Sequence, residues 1–185
     1  MSEAYDAGED ATDRALVARW QRGDERAATA LVARHAPALA RFAASQGEGE
    51  RAEELVQDTF VRAFGALDRF RGDSSLRTWL FSILRRLVID ARRTARQERR
   101  RTELAGEEPA PRYGALDAVV AAETEQRVTA ALARLTPTQR EVFTLRVSEG
   151  LSYKEIAEIV ESTEGAARVH YHNAMRAVKE YVDDE

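Results

Sequence analysis

The stretch that decides the fold runs from Arg77 to Arg101, RTWLFSILRRLVIDARRTARQERRR. With Leu76 before it, the residues Trp79, Leu80, Ile83, Leu84, Leu87 and Ala91 recur at three- and four-residue intervals, so one face of a long helix is apolar and must be buried. The remaining face carries nine arginines (Arg77, Arg85, Arg86, Arg92, Arg93, Arg96, Arg99, Arg100 and Arg101) against two acids, Asp90 and Glu98. A solvated helix surface can also be arginine-rich. The whole chain, however, has a formal net charge of -4, so the positive charge here is concentrated, as for binding a polyanion.

Composition sets the class. At 185 residues, 44% hydrophobic and 32% charged, the chain is long enough for one domain or two small ones. It has no cysteine, which excludes disulfides and thiolate metal sites, and nothing points to an oxidising compartment. The acidic start lacks an apolar leader and no run is long enough to span a bilayer, so the cytoplasm is expected, without membrane insertion. No segment alternates with a period of two, and the expected fold class is all-α.

Working outward, residues 1–12 are expected to be a disordered tail, and Asp13 to cap a short helix with Leu16, Val17 and Trp20 that stops at Gly23. Asp24 opens a second helix with Ala27, Leu31, Ala38, Leu39 and Phe42 on its apolar side, where Pro37 predicts a kink or restart. A third helix, roughly 50–70, has an apolar stripe (Ala52, Leu55, Val56, Phe60, Ala63, Phe64, Leu67). Glu53, Glu54, Gln57 and Asp58 gather on its N-terminal half, either complementing the helix dipole or forming a partner surface. RFRGDSS, 69–75, reads as a loop, with Ser74 or Ser75 capping the arginine helix. Its aromatic, basic and hydroxyl groups suit unstacked bases and backbone, or an ordinary connection.

After Arg101 the character changes. Residues 102–125 carry six acids against Arg112 alone, interrupted by Gly106, Pro109, Pro111 and Gly114, which is the composition of a linker. Beyond it, Thr138 with Glu141 and Ser152 with Glu155 have capping-box spacing, and Thr163 opens a last helix to about Val182. Short helices joined by tight turns match a helix-turn-helix unit, and also a small bundle with no DNA role. On the last helix Ala167, Tyr171, Ala174, Met175 and Val178 face inward; Arg168, Val169, His172, Asn173 and Arg176 face outward and can meet phosphates and base edges. The three histidines, His35, His170 and His172, do not share a helix face, and no phosphate-cradling loop, nucleophile elbow or zinc motif is present. No enzyme, cofactor or metal site is expected.

The order AEELVQDTFVRAFGALDRFRGDSSLRTWLFSILRRLVIDARR, a linker, then LARLTPTQREVFTLRVSEGLSYKEIAEIVESTEGAARVHYHNAMRAVKE closely resembles the extracytoplasmic-function (ECF) sigma factors of bacterial RNA polymerase, from about Asp13 onward. The resemblance implies two helical domains: region 2 over 13–101 and region 4 over 123–185, joined by an acidic linker over 102–122. It implies that Glu54, Leu55, Gln57, Asp58, Phe60 and Val61 dock on the β′ coiled coil of core RNA polymerase. Phe70, Arg71, Ser74, Arg77, Trp79, Arg85, Arg86, Arg92 and Arg93 are implied to hold the melted -10 element. Thr163, Arg168, Val169, His170, His172, Asn173 and Arg176 are implied to read the -35 element, with region 4 resting on the β flap. An anti-sigma factor is the expected regulator. Three departures from the family pattern stand out. The run Gly165-Ala166-Ala167-Arg168-Val169-His170 keeps the basic residue but loses a hydroxyl and an arginine, predicting a -35 preference different from the common one. Arg86 replaces a common asparagine, and Glu161-Ser162 replaces a glycine and an apolar residue in the helix-turn-helix turn, predicting a strained or differently shaped turn.

Overall fold

The computed structural model describes residues 2–104 and 130–183. Seven α-helices are laid out in chain order: α1 (Ser2–Gln21), α2 (Glu25–Ala43), α3 (Ala52–Ala66), α4 (Leu76–Leu104), α5 (Pro137–Val147), α6 (Tyr153–Ile159) and α7 (Glu164–Asp183). Residues 130–134 are also helical, and the described residues contain no strand.

The N-terminal unit packs α1 on α2, and α2 and α3 on α4. Phe42 and Phe81 meet edge to face at its centre, ring centroids 5.5 Å apart, a geometry that aromatic quadrupoles favour. Leu31, Leu39, Leu55, Leu84 and Val88 close around them and are fully buried. The apolar stripe of α4 is therefore core, as its spacing required; Trp79 and Ile83 lie at its margin. Ser75 starts α4, its Oγ accepting from the Thr78 amide at 3.1 Å. Asp24 caps α2 through the Arg26 amide at 3.1 Å, after Gly23 has taken a φ of +88°.

The C-terminal unit stacks α5 and α6 against α7. Phe143, Leu135 and Ala174 form a small core with Tyr171 and Val178. Val142 and Leu145 of α5 and Ile156 and Ile159 of α6 belong instead to the apolar cluster that also contains Phe42 and Phe81. The two units thus share buried surface.

Several expectations are corrected. Helix α1 starts at Ser2, so the expected tail 1–12 is helical from its second residue. Asp13 then lies in mid-helix and caps nothing; it is buried against Arg34 (2.9 Å) and His35 (2.9 Å) of α2. Helix α2 runs through Pro37 without a restart, because the helix buries residues on both sides of it, His35 and Leu39, which offset the one lost amide bond. The third helix is shorter than 50–70: Gly49–Arg51 and Leu67–Arg69 are single 3₁₀ turns flanking α3. Helix α5 begins at Pro137 and ends at Val147; its cap is Thr136, boxed with Gln139, since proline at the first helical position is pre-set for that turn. The Ser152–Glu155 box forms as expected, and Thr163 caps α7 through the Ala166 amide at 3.1 Å. Met175 is 40% exposed, outside the core assigned to it, whereas Ala167 and Ala174 are buried. Glu161 takes a φ of +55° in the turn before α7, the left-handed region glycine would occupy without strain. Of the expected linker 102–122, Thr102 to Leu104 continue α4, and the rest lies outside the described residues.

Candidate nucleic-acid interface

The edge expected to hold single-stranded DNA begins at the loop before α4. Phe70 lies against Trp79, centroids 5.0 Å apart, both half-buried, giving an aromatic step at the head of the helix. Beside it Arg71 is exposed, Ser74 is half-buried, and the Ser75 and Thr78 hydroxyls lie 2.9 Å apart. Stacking on such a step is tolerant of base identity, while arginine serves the phosphates.

The arginines that follow are not free. Arg77 donates to Glu149 of the C-terminal unit twice, to its carboxylate at 2.9 Å and its carbonyl at 2.8 Å. Arg41, from the last turn of α2, donates to the same carboxylate at 3.2 and 3.1 Å. Arg85 donates to Glu141 at 2.8 Å, Arg86 to Glu161 at 3.1 and 3.2 Å, and the Thr78 hydroxyl to Glu155 at 3.3 Å. The Glu149 and Glu141 side chains are only 1% and 3% exposed, so Arg77–Glu149 and Arg85–Glu141 are largely removed from water, whereas Arg41 keeps an exposed outer side. The Arg86–Glu161 pair is open to solvent on both sides and stabilises little. One like-charge approach crosses the same junction: burial, then the nearby Arg92, hold the Arg140 guanidinium below its ordinary pKa.

Arg92 serves the N-terminal unit, donating to the carbonyl of Gln46 in the π-helical turn after α2. From Arg93 onward α4 stands clear: Arg93, Arg96, Arg99, Arg100 and Arg101 are exposed and make no ion pair among the described residues. Of the nine residues expected at the -10 element, Phe70, Arg71, Ser74 and Trp79 therefore lie together at one edge. Arg77 and Arg85 lie under the C-terminal unit, Arg86 stays exposed and pairs with it at the edge, Arg92 braces a turn, and Arg93 has no ion-pair partner among the described residues. The four covering glutamates and Arg41 were not legible as a set. Their spacing follows no single helix face, and only the tertiary arrangement brings them to α4.

On α7 the exposed side chains are Arg168, Val169, His172 and Arg176, while His170 and Asn173 are half-buried. Val169 is 58% exposed, an apolar group facing water. Arg168 lies over the Tyr153 ring at 5.0 Å and pairs with Glu164, which fixes its direction at the start of the helix beside the exposed Thr163. Arg176 has only a long pair to Glu180, 4.0 Å.

A third face is formed by α3 and α2. On α3 Glu54, Gln57, Asp58 and Val61 are exposed, Glu54 paired with Arg51 at 3.1 Å; Leu55 and Phe60 point into the core and set the helix's orientation. An apolar groove of about 540 Å³ runs between this helix and α2, lined by Val32, Ala36 and Pro37 on one side and Val56, Phe60, Val61 and Phe64 on the other. Val61 is 66% exposed at its lip.

Residues 31–98 match the family model of sigma-70 region 2, and residues 125–178 that of sigma-70 region 4. The ECF RNA polymerase sigma-E factor of Escherichia coli K12 is 32% identical over 182 residues, covering 92% of this chain and 94% of the relative. Its counterpart in Haemophilus influenzae is 29% identical over 184 residues, covering 92% and 95%. Among solved structures, CnrH in complex with the cytosolic domain of CnrY superposes with a TM-score of 0.72 at 32% identity, over 94% of this chain and 99% of that one. RpoE from Bartonella quintana, solved with the anti-sigma factor NepR, gives 0.69 at 28% identity, over 84% and 96%. Two helical units in this order, both matched and with relatives alike over nearly their full length, establish that the chain belongs to the ECF sigma factors.

Proposed function

We propose that this sigma factor divides its work among three faces. The groove and exposed row of α3 (Glu54, Gln57, Asp58, Val61) dock on core RNA polymerase. The Phe70–Trp79 step with Arg71, Ser74 and the arginines of α4 holds the opened -10 element. Helix α7, led by Arg168, enters the major groove of the -35 element, with His172 and Arg176 further along and Thr163 at its entry. The observation that carries this reading is that the arginine face of α4 begins beside an aromatic step, which suits single-stranded DNA, while α7 presents a separate row of polar and basic side chains.

Its role is recognition and strand separation, without catalysis of its own, and it works in the cytoplasm, where the polymerase is; no helix among the described residues is long and apolar enough to cross a membrane. Control by an anti-sigma factor is part of the proposal, supported by the relatives solved with CnrY and NepR. Transcription in vitro with core polymerase and DNA carrying its mapped start sites tests the whole. Initiation at those sites only when the protein is added is the expected result, and absence of specific initiation refutes it.

A further inference from the structure

We propose that Arg41 and Arg77 form an anion seat on the N-terminal unit, filled by the Glu149 carboxylate in the closed chain and by a DNA backbone phosphate once the C-terminal unit has moved away. The proposal rests on the reading of α4 as the -10 face. The two guanidiniums come from different helices, α2 and α4, and converge on one carboxylate through three side-chain contacts of 2.9 to 3.2 Å. Arg77 is further steadied by the Phe81 ring, 5.9 Å from its guanidinium carbon. A phosphodiester presents two oxygens and one negative charge, as a carboxylate does, so two arginines arranged for one suit the other.

The position suits DNA rather than a free anion. Arg77 and Trp79 both belong to the first turn of α4, on different faces but only about 3 Å apart along its axis, so the backbone of a strand with a base on the Phe70–Trp79 step can reach the seat by passing round the head of the helix. The occupant also belongs to the other unit: Glu149 precedes Gly150, which takes a φ of +68° to turn the chain into α6. Its 1% side-chain exposure exists only while the units are together. Arg85 with Glu141 repeats the arrangement two turns along α4. Closure and DNA binding thus draw on the same cations, and each excludes the other.

Fluorescence anisotropy of a fluorescein-labelled single-stranded oligonucleotide, carrying the non-template -10 sequence of a promoter the chain transcribes, tests this on the full chain. Because the chain has no cysteine, cysteines introduced at Asp68 and Lys179 can carry a dye pair that reports unit separation. Glu149→Ala should raise the fraction of chains with separated units and tighten oligonucleotide binding about tenfold, as expected when a competing closed state is depopulated. Glu149→Gln should act in the same direction, more weakly. Adding Arg41→Ala to Glu149→Ala should remove most of the gain and lower the salt slope by about 0.7. Unchanged affinity in Glu149→Ala, or unchanged affinity and slope on adding Arg41→Ala, would overturn the seat. A wild-type chain that starts no promoter with core polymerase fails as a sigma factor. One that initiates while these variants bind as it does overturns the seat alone.

Discussion

Replacing Arg85 and Glu141 by alanine, singly and together, measures how strongly the two units hold each other. Their Nε–Oε distance is 2.8 Å and their side chains are 14% and 3% exposed. With charge centres about 4 Å apart and an effective dielectric near 20, the attraction is about 4 kcal/mol. Taking both ions out of water cancels much of it. What remains is of the order of a charge-assisted hydrogen bond, and the coupling from a double-mutant cycle should be about 2 kcal/mol. Arg85→Ala alone should cost more, about 3 kcal/mol, because it leaves Glu141 buried and unpaired. Urea is the denaturant of choice, since guanidinium is itself a salt and would screen the pair. The apolar cluster runs through both units, so helical circular dichroism should report one transition. A coupling below about 0.5 kcal/mol would refute the claim that this pair joins the units through desolvated charge.

Other outcomes follow from the same geometry. Val61→Asp should leave the fold intact, since the side chain is 66% exposed, and weaken binding to core polymerase by at least about 1 kcal/mol in a titration with labelled protein. Arg168→Ala and Arg176→Ala should each weaken -35 duplex binding, by about 1–3 kcal/mol where the lost contact is to a base and less where it is to a phosphate; unchanged affinity in both removes α7 from the groove. Burial raises the Asp13 pKa, but the hydrogen bond and charge of His35, then of Arg34, outweigh it and hold the carboxyl below its ordinary 3.8. Its contribution is therefore present above that value and lost as pH falls through the depressed folded pKa. Asp13→Asn should cost about 1–2 kcal/mol at pH 7 and flatten the acid limb of the thermal melting curve.

Where side-chain period or local chemistry decided the outcome, the sequence was enough. Leu76, Leu80, Leu84, Leu87 and Ala91 of the α4 stripe are buried, with Trp79 and Ile83 at its margin, and Asp24, Ser75, Ser152 and Thr163 cap the helices they precede. Local rules failed where tertiary burial outweighed them: Pro37 sits inside an unbroken helix because that helix is packed along its length, and Asp13 became an internal ion-pair partner once α1 extended past it. The candidate sites divide the same way. The outward row of α7 follows from helical period, except that Asn173 is half-buried and Met175, expected inward, is exposed. The partners of Arg77, Arg85 and Arg86 were invisible, because they lie between 56 and 75 positions away in the chain. Glu161 had signalled itself by standing in a glycine position. Its partner, Arg86, emerged only from the fold.

Ala91 is the last residue of α4 in the buried core, yet the helix continues to Leu104, a rod of about 20 Å at the usual rise per residue. Along it Arg93, Arg96, Arg99, Arg100 and Arg101 outnumber two acids, Glu98 and Glu103, and like charges three and four residues apart oppose helix formation. Only propagation from the packed half keeps this segment wound, since a free helix of that length is marginal in water. Its helix–coil balance is therefore set by counter-ions: it shortens by fraying at low ionic strength and lengthens when a polyanion neutralises the repulsion. The reach of α4 beyond the core is a property of its ionic surroundings as much as of its sequence.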